Sequence, residues 1–441
     1  MTILNVICGT IIHSTKEDNL VILQDAAIGF QDKKIVFLCK KADLTSLTKE
    51  FSFCIKNVEY LSKRQFLIPG FVDTHAHASQ YSYQGTGMDR GLMDWLNTYT
   101  FPVESKFQDK QFATDVYQKA VSRFLKNGTT TASYYGTIHT DCTLVLCRII
   151  DKLGQRALVG KVNMNQRSPD YYVETTDQSI SETNRFVEEV LNLEVNLVTP
   201  CITPRFALSC SLDLQEELGK IAQHYNLPIQ THLSECLTEC SEVKSCYPDR
   251  KHYIDVYHKA GLLSNRTVLA HSIYLSDNEL QIIKDKNCGI AHCPNSNLSL
   301  RSGLFDARKV LELDIKLGLG SDIAGGYSCS ILDAIRSSVE VSHTIAILNE
   351  GQNKEYKPIN FRDSFKMATL GGAQVLGLDD KIGNFEVGKE FDALLVDVEL
   401  NDSNFDVFES DTFEDIFQKF IYLGDDRNIK RVYISGSQVK M

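Results

Sequence analysis

The chain lacks an excess of basic residues. Its 441 residues include 46 lysines and arginines against 57 aspartates and glutamates, which gives a formal net charge of -11. A protein that binds nucleic acid needs basic side chains to neutralise phosphates, so the composition argues against a nucleic-acid partner. Hydrophobic residues at 43% and charged residues at 23% are ordinary for a globular enzyme. The length suffices for one large domain or two ordinary ones.

Long apolar runs and paired cysteine motifs are also missing. No uninterrupted apolar stretch approaches the roughly 20 residues that span a bilayer, and residues 1–7 do not resemble a signal peptide. The 13 cysteines are scattered without a Cys-x-x-Cys pair, which is typical of a reducing compartment. Cys236 and Cys240 lie four residues apart in a possible helix and are interpreted as bystanders. We therefore expect a cytoplasmic protein without a membrane partner.

Apolar strands alternate with amphipathic helices through the middle of the chain. The eight strand candidates occupy residues 66–72, 129–134, 157–162, 196–202, 228–232, 267–271, 289–292 and 315–320. Helical patterns lie between them, at 110–126, 179–191, 212–225 and 276–284. This alternation predicts an α/β protein whose main body is a (β/α)8 barrel. A dinucleotide-binding sheet is disfavoured because no Gly-x-Gly-x-x-Gly follows the first strand.

Short strand patterns occupy both ends of the chain. They lie at 2–8, 25–30 and 35–39 near the start, and at 392–397 and 431–434 near the end. We expect the two ends to pair into one small β-sandwich domain that flanks the barrel. The predicted domains are the N-terminal part of this β domain at 1–66, the barrel at 67–379 and the C-terminal part of the β domain at 380–441.

The most informative motif is a His-x-His at the end of the first predicted barrel strand. His75 and His77 are two residues apart, so they project from the same face of a strand. His232, His271 and Asp322 stand at the ends of later strands. Active sites of such barrels lie at the carboxyl ends of the strands. Each residue alone is more typical of an ordinary barrel rim, but five in barrel order indicate a catalytic zinc site.

These residues belong to longer blocks that resemble the amidohydrolase superfamily. The blocks are residues 69–80, 203–210, 291–297 and 318–326, and residues 382–393 are similar to that superfamily's return into its small β domain. The resemblance covers nearly the whole chain. His77 followed by Gln80, together with Arg205 and Phe206, is similar to the branch of the superfamily that acts on guanine.

The resemblance implies one zinc ion per chain, with the ligands His75, His77, His232 and Asp322. It also places His271 close to the water held by the metal. Several binuclear relatives use a carboxylated lysine at the end of strand four, but residues 199–205 contain no lysine. We therefore expect a single metal. Lys161, at the end of strand three, is interpreted as structural.

The implied activity is the hydrolytic deamination of guanine to xanthine and ammonia by a homodimer. Zinc lowers the pKa of water to roughly 7, so that Asp322 can accept a proton and His271 can orient the nucleophile for attack at C2. Glu235 is suited to shuttle protons as general acid and base. The alternative for Glu235 is a glutamate that the dipole favours at a helix N-terminus.

Substrate selection is expected to depend on residues after strands one and four. The guanidinium of Arg205 matches the O6 and N7 acceptors of guanine, whereas adenine presents an amino donor there. Gln80 can donate and accept at a purine edge. Phe206 either stacks on the base or closes the pocket, or it packs in the core. Trp95 either forms part of a lid or packs in the core. His292 is interpreted as pocket wall rather than ligand. The implied substrate contacts are Gln80, Arg205, Phe206, His232, His271 and Asp322.

Three alternatives stay open. One is a deaminase of the same superfamily that acts on another purine, a pterin or a cytosine-like ring, against which Arg205 and Gln80 argue. Another is a metal-free scaffold that serves as an interaction protein, although such proteins typically lose metal ligands. The third is a ring-opening cyclic amidase, which usually calls for the bridging lysine that is missing here.

Overall fold

The structure is a computed structural model that describes residues 4–51, 58–193, 197–350 and 356–439. Within these residues lie sixteen strands, numbered along the chain as β1 (Leu4–His13), β2 (Val21–Gln31), β3 (Lys34–Lys40), β4 (Val58–Tyr60), β5 (Gln65–Pro69), β6 (Phe71–His77), β7 (Thr129–Tyr135), β8 (Arg156–Asn163), β9 (Val198–Pro204), β10 (Ile229–Leu233), β11 (Thr267–His271), β12 (Gly289–His292), β13 (Lys316–Leu319), β14 (Ala393–Asp397), β15 (Ile429–Ile434) and β16 (Ser437–Gln438). The predicted strand residues 2, 3 and 196 lie outside the described ranges.

The α-helices of the described ranges are likewise numbered along the chain as α1 (Leu44–Glu50), α2 (Leu92–Trp95), α3 (Phe101–Glu104), α4 (Lys110–Lys126), α5 (Thr140–Leu153), α6 (Thr176–Asn192), α7 (Leu212–Tyr225), α8 (Leu237–Cys246), α9 (Ile254–Lys259), α10 (Asp277–Asp285), α11 (Pro294–Ser299), α12 (Ala307–Glu312), α13 (Ile331–Leu348), α14 (Phe361–Lys366), α15 (Gly372–Val375) and α16 (Phe413–Leu423). None of the described helices is long and apolar enough to cross a membrane.

Strands β6 to β13 form a parallel eight-stranded sheet in chain order. The first and last of these strands meet, since Thr74 Oγ1 donates to the carbonyl of Leu319 at 2.9 Å. Just beyond β13, the amide of Asp322 donates to the carbonyl of His75 at 2.9 Å. The expected (β/α)8 barrel is therefore confirmed, and its closing edge brings Asp322 beside β6.

The other sheet is mixed and contains strands from both ends of the described chain. Its order is β16-β15-β14-β5-β1-β2-β3, with β4 paired to β1. Strand β5 runs parallel to β1 and antiparallel to β14, so the two ends meet at β5. The rings of Phe30 and Phe391 stack at 3.9 Å within the core of this sheet. This confirms the expected flanking β domain built from both chain ends.

The predicted first barrel strand, residues 66–72, was wrongly placed. The structure divides it between Gln65–Pro69 in the flanking sheet and Phe71–His77 in the barrel. The break falls at Gly70, where a Cβ atom would lie 2.1 Å from Thr130 Oγ1. Because the residues on both sides of the break are buried, the sequence there is one continuous apolar run. Hydrophobic periodicity therefore could not reveal the break between the two strands.

Several barrel elements follow their predictions closely. The strands at 267–271 and 289–292 and the helices at 110–126 and 212–225 have the expected bounds. Side-chain caps account for the sharp starts of the helices, since Asp109 accepts hydrogen bonds from the first turn of α4 and Ser211 from that of α7. These capping residues fix the residue at which each helix begins after its strand, and so help to place the side chains at the strand ends.

Candidate active site

Four strand-end side chains converge inside the barrel mouth. One donor atom from each of His75, His77, His232 and Asp322 lies within 4.8 Å of the others. Asp322 Oδ1 is 3.2 Å from His75 Nε2 and 3.4 Å from His77 Nε2. His77 Nε2 is 3.2 Å from His232 Nε2. The structure thus brings together all four residues predicted as metal ligands.

Hydrogen bonds on the far side of two rings set their tautomers. His75 Nδ1 lies 2.6 Å from Gln230 Oε1, and the amide of Gln230 donates in turn to Ser133 Oγ. His232 Nδ1 lies 2.6 Å from the carbonyl of Arg205. Because these oxygens accept, each Nδ1 must carry the proton, and each Nε2 presents a lone pair to the cluster.

Burial keeps His77 and His232 in the neutral form that binds metals. Desolvation, followed by the neighbouring imidazoles, lowers the pKa of His77 and His232 well below its usual value. Burial by itself would raise the pKa of Asp322, but contact with His75 and the other imidazoles holds that pKa low. Neutral imidazoles beside an ionised carboxylate are the ligand set of a divalent cation.

His271 and Glu235 stand next to this cluster. His271 Nδ1 lies 2.8 Å from Asn297 Oδ1, and its Nε2 is 3.6 Å from Glu235 Oε2 and 3.7 Å from Asp322 Oδ2. Burial disfavours the charged imidazole, but the carboxylates of Glu235 and Asp322 outweigh it and raise the pKa of His271. Burial raises the pKa of Glu235 to about 7, although the charge of His271 opposes this.

Two site residues have strained backbones. His271 has φ 65° and Asp322 has φ 46°, both in the left-handed region that non-glycine residues seldom adopt. Such conformations cost roughly 1–3 kcal/mol each and persist where the surroundings hold them. His271 is the last residue of β11 and Asp322 follows the end of β13 by three residues, so both unusual conformations lie next to the cluster.

A pocket opens onto this cluster. Gln80, Arg205 and Phe206 line it, as the sequence predicts. Trp95 also lines it and is only 2% exposed, with its indole N–H donating to the carbonyl of Thr86. Trp95 is thus both pocket wall and core. The remaining apolar wall is made by Leu92, Leu96 and Leu300.

Glu104, at the end of α3, accepts hydrogen bonds from two of the pocket residues, Arg205 and Gln80. No role was predicted for Glu104 from the sequence. Its side chain is fully buried. Oε2 accepts from Arg205 Nη1 at 2.7 Å and from the hydroxyl of Tyr172 at 2.8 Å. Oε1 accepts from Gln80 Nε2 at 3.0 Å and from Arg205 Nη2 at 3.3 Å. The available signal was a single acidic residue in the apolar stretch 99–104.

Other singled-out residues lie outside the cluster. Lys161 is fully buried and paired with Glu174 at 2.6 Å, as a structural role requires. His292 packs against Phe305 with ring centroids 4.7 Å apart, and neither ring nitrogen has a partner among the described residues. Cys293 was not predicted, yet with His75 and His271 it forms an overlapping group of possible metal donors.

The sequence model of the amidohydrolase family matches residues 66–439, and the chain belongs to that family. It is 51% identical over 438 residues to guanine deaminase of Homo sapiens, covering 98% of this chain and 95% of the relative. It is 48% identical over 443 residues to guanine deaminase of Dictyostelium discoideum, covering 98% and 97%. Within the family the chain therefore groups with the guanine deaminases and is a hydrolase.

Solved structures agree with this assignment. The crystal structure of guanine deaminase from C. acetobutylicum with bound guanine in the active site superposes with a TM-score of 0.91 at 38% identity. The superposition covers 99% of this chain and 100% of that one. The E. coli guanine deaminase superposes with a TM-score of 0.89 at 29% identity, covering 99% of each chain. The fold, including the flanking sheet, is that of these enzymes.

Proposed function

We propose that the protein catalyses the hydrolytic deamination of guanine to xanthine and ammonia with one zinc ion per chain. The observation that carries the proposal is the convergence of His75, His77, His232 and Asp322 in a pocket that also contains Arg205. Similarity to guanine deaminases along the whole chain supports guanine as the substrate. A homodimer and a cytoplasmic location stay predictions from the sequence.

The donor set fits zinc in both chemistry and spacing. Zinc binds imidazole nitrogen and carboxylate oxygen at about 2.0–2.2 Å, so two donors to one ion can lie at most about 4.4 Å apart. The separations here are 3.2 Å and 3.4 Å from Asp322 Oδ1, and 3.2 Å between His77 and His232. His75 Nε2 is buried without a hydrogen bond among the described residues, as expected of an atom reserved for a metal. When bound, zinc would lower the pKa of a water molecule to about 7.

The two carboxylate oxygens of Asp322 have different proposed roles, one toward the metal and one toward the attacking water. Its Oδ1 faces the histidine nitrogens, whereas its Oδ2 lies 3.7 Å from His271 Nε2. Oδ2 is therefore available to accept a proton from the attacking water, and His271 to orient that water. Asn297 holds the other nitrogen of His271, which fixes the direction of the ring.

Glu235 is proposed to move the proton from water to the substrate. A pKa raised to about 7 by burial lets a carboxyl group take up and release protons near neutral pH. The hydroxyl of Ser302 donates to Glu235 Oε1 at 3.2 Å and leaves Oε2 on the side of His271. The shuttle delivers one proton to a ring nitrogen of guanine and one to the leaving amine.

Arg205 and Gln80 are proposed to recognise the base as one unit held by Glu104. Glu104 takes two of the five N–H groups of Arg205 and Met164 Sδ accepts a third at 3.9 Å, so that two remain for a ligand. Gln80 donates one amide hydrogen to Glu104, and its oxygen accepts from the amide of Ala324. The free hydrogens of both residues favour a base edge of acceptors. Guanine presents O6 and N7 on such an edge, whereas adenine presents an amino donor in place of O6.

The test is ammonia release by the zinc-loaded protein from guanine, adenine, guanosine, cytosine and a pterin. We expect guanine to exceed every other substrate in kcat/KM by at least about 10²-fold, because a donor facing a donor leaves buried polar groups unpaired. A preference for another ring would identify a different deaminase. Failure to retain zinc and to release ammonia from any substrate would favour a non-enzymatic scaffold.

A further inference from the structure

A second cavity lies on the other side of the β10–α8 connection from the active site. It is lined by α8, the segment that follows α8, Tyr274 and Glu279. We call it the α8 cavity. Ser234 lines the α8 cavity, while the next residue, Glu235, lines the active-site pocket. The two cavities share no lining residue, so they are separate sites divided by one strand end.

Two polar atoms around the α8 cavity are buried without a hydrogen bond among the described residues. They are Arg250 Nε and His252 Nε2. The opposite nitrogens of both side chains are engaged, since Arg250 Nη1 donates to Asp249 at 2.7 Å and His252 Nδ1 lies 3.4 Å from Ser276 Oγ. Buried polar groups are seldom left unpaired, so two in one cavity wall indicate a missing ligand.

The charges around the α8 cavity select a ligand of negative charge. Lys244, Arg250 and Lys251 line it, and Glu279 is the acidic lining residue. Its Oε2 accepts from the amide and the hydroxyl of Ser276, each at 2.8 Å, and lies 4.0 Å from His252 Nδ1. Three cationic side chains therefore outnumber one carboxylate. A guanidinium N–H and an imidazole match a phosphate group, whose oxygens accept and whose protonated form also donates.

Tyr253 and Tyr274, which line the α8 cavity, are each hydrogen-bonded to a residue that is itself hydrogen-bonded to Glu235. The hydroxyl of Tyr253 donates to Glu239 Oε1 at 2.7 Å, and Glu239 Oε2 accepts from the amide of Glu235 at 2.8 Å. The hydroxyl of Tyr274 donates to the carbonyl of Ser302 at 2.6 Å, and Ser302 Oγ donates to Glu235 Oε1. A ligand that moves either tyrosine therefore also moves the surroundings of Glu235.

We propose that the α8 cavity is an effector site for a small molecule that carries a phosphate group, and that its occupancy changes turnover at Glu235. The binding part depends on Arg250 and His252, with Lys244 and Lys251 adding positive charge, and not on the chemistry of the active site. The effect on turnover rests on the proposed function of the active site, so the two parts are measured separately.

The experiment titrates the zinc-loaded full chain by calorimetry with inorganic phosphate, ribose 5-phosphate and, as a carboxylate, acetate. Arg250→Met keeps the apolar stem but removes the donor, and we expect it to weaken phosphate binding roughly tenfold to a hundredfold. Lys251→Met changes an exposed residue and should weaken binding by about twofold to fivefold. Arg148→Met, on α5 and outside the cavity lining, is the matched control and should bind as the wild type does.

Binding and turnover together decide the proposal. Tighter binding of ribose 5-phosphate than of inorganic phosphate would identify a sugar phosphate as the ligand, and the reverse would identify the free anion. We expect phosphate to change kcat without competing with guanine, and Arg250→Met to abolish that change. Competition with guanine that survives Arg250→Met would place phosphate at the metal cluster and overturn the proposal, as would the absence of saturable binding. Binding without any change in kcat would overturn the effector role, even if the active site had another substrate.

Discussion

Replacing Glu104 by Gln tests whether one buried carboxylate holds the base-recognition residues. Each oxygen of Glu104 accepts two hydrogen bonds, one from Arg205 and one from either Gln80 or Tyr172. A glutamine amide has only one oxygen. Whichever way the amide is turned, its NH2 group faces two donors, so Arg205 and one further partner each lose a bond.

The expected cost follows from these contacts. Removing one partner of a buried ion pair typically destabilises a protein by about 3–5 kcal/mol, because the remaining charge is left uncompensated. For guanine, a misplaced Arg205 should lose the value of one bidentate contact, about 1–3 kcal/mol, or roughly 5- to 150-fold in kcat/KM. Zinc content should not change, because Glu104 contacts none of the four cluster residues through a hydrogen bond described here.

The assay compares Glu104→Gln with Glu174→Gln. Glu174 is also a largely buried carboxylate paired with a buried cation, Lys161, but it does not line the pocket. Both variants should unfold at lower urea concentration, whereas only Glu104→Gln should lose kcat/KM for guanine at unchanged zinc occupancy. A Glu104→Gln enzyme with wild-type kcat/KM would refute the reasoning, and an equal loss in both variants would reduce Glu104 to a purely structural role.

Three further predictions concern the metal and the proton. His77→Ala should lose zinc or hold it weakly, as metal analysis will show; full zinc and activity would remove His77 from the site. Glu235→Gln should keep its zinc while kcat falls by roughly 10²–10⁴-fold, the usual contribution of a general acid–base group, and loss of zinc instead would make Glu235 a ligand. The pH profile of kcat/KM should fall on the acidic side, because Glu235 must be ionised to accept a proton. Burial raises the pKa of Glu235 from 4.5 to about 7, and a bound cation would lower it. The pH at which kcat/KM falls to half should therefore lie between 4.5 and about 7; a value below 4.5 would contradict the assignment.

The part of the site that sequence could predict is the part that local geometry fixes. His75 and His77 face one side because they are two residues apart on a strand, and His232, His271 and Asp322 follow because parallel strands end at one rim. Each of these inferences needs only the position of a residue on its own strand or just after it. The barrel and the cluster could therefore be predicted together.

What the sequence could not provide depends on packing between distant segments. Glu104 is 101 residues from Arg205 and 24 from Gln80, and no periodicity links the three. The break at Gly70 was hidden because Pro69 and Phe71 are both buried. The unpaired atoms of Arg250 and His252 became visible only once their surroundings were assembled.

The meeting of both chain ends at β5 has a consequence for synthesis on the ribosome. One edge of β5 stays unpaired until β14 has been synthesised. Residues Ala393–Asp397 of β14 pair with Gln65–Pro69, more than 320 residues earlier in the chain. Until the last part of the chain emerges, that edge presents unpaired backbone groups of a kind that readily captures strands of other molecules. Contacts this distant in sequence also form slowly. We expect the nascent chain to be most prone to aggregation after the barrel has been made and before β14 arrives.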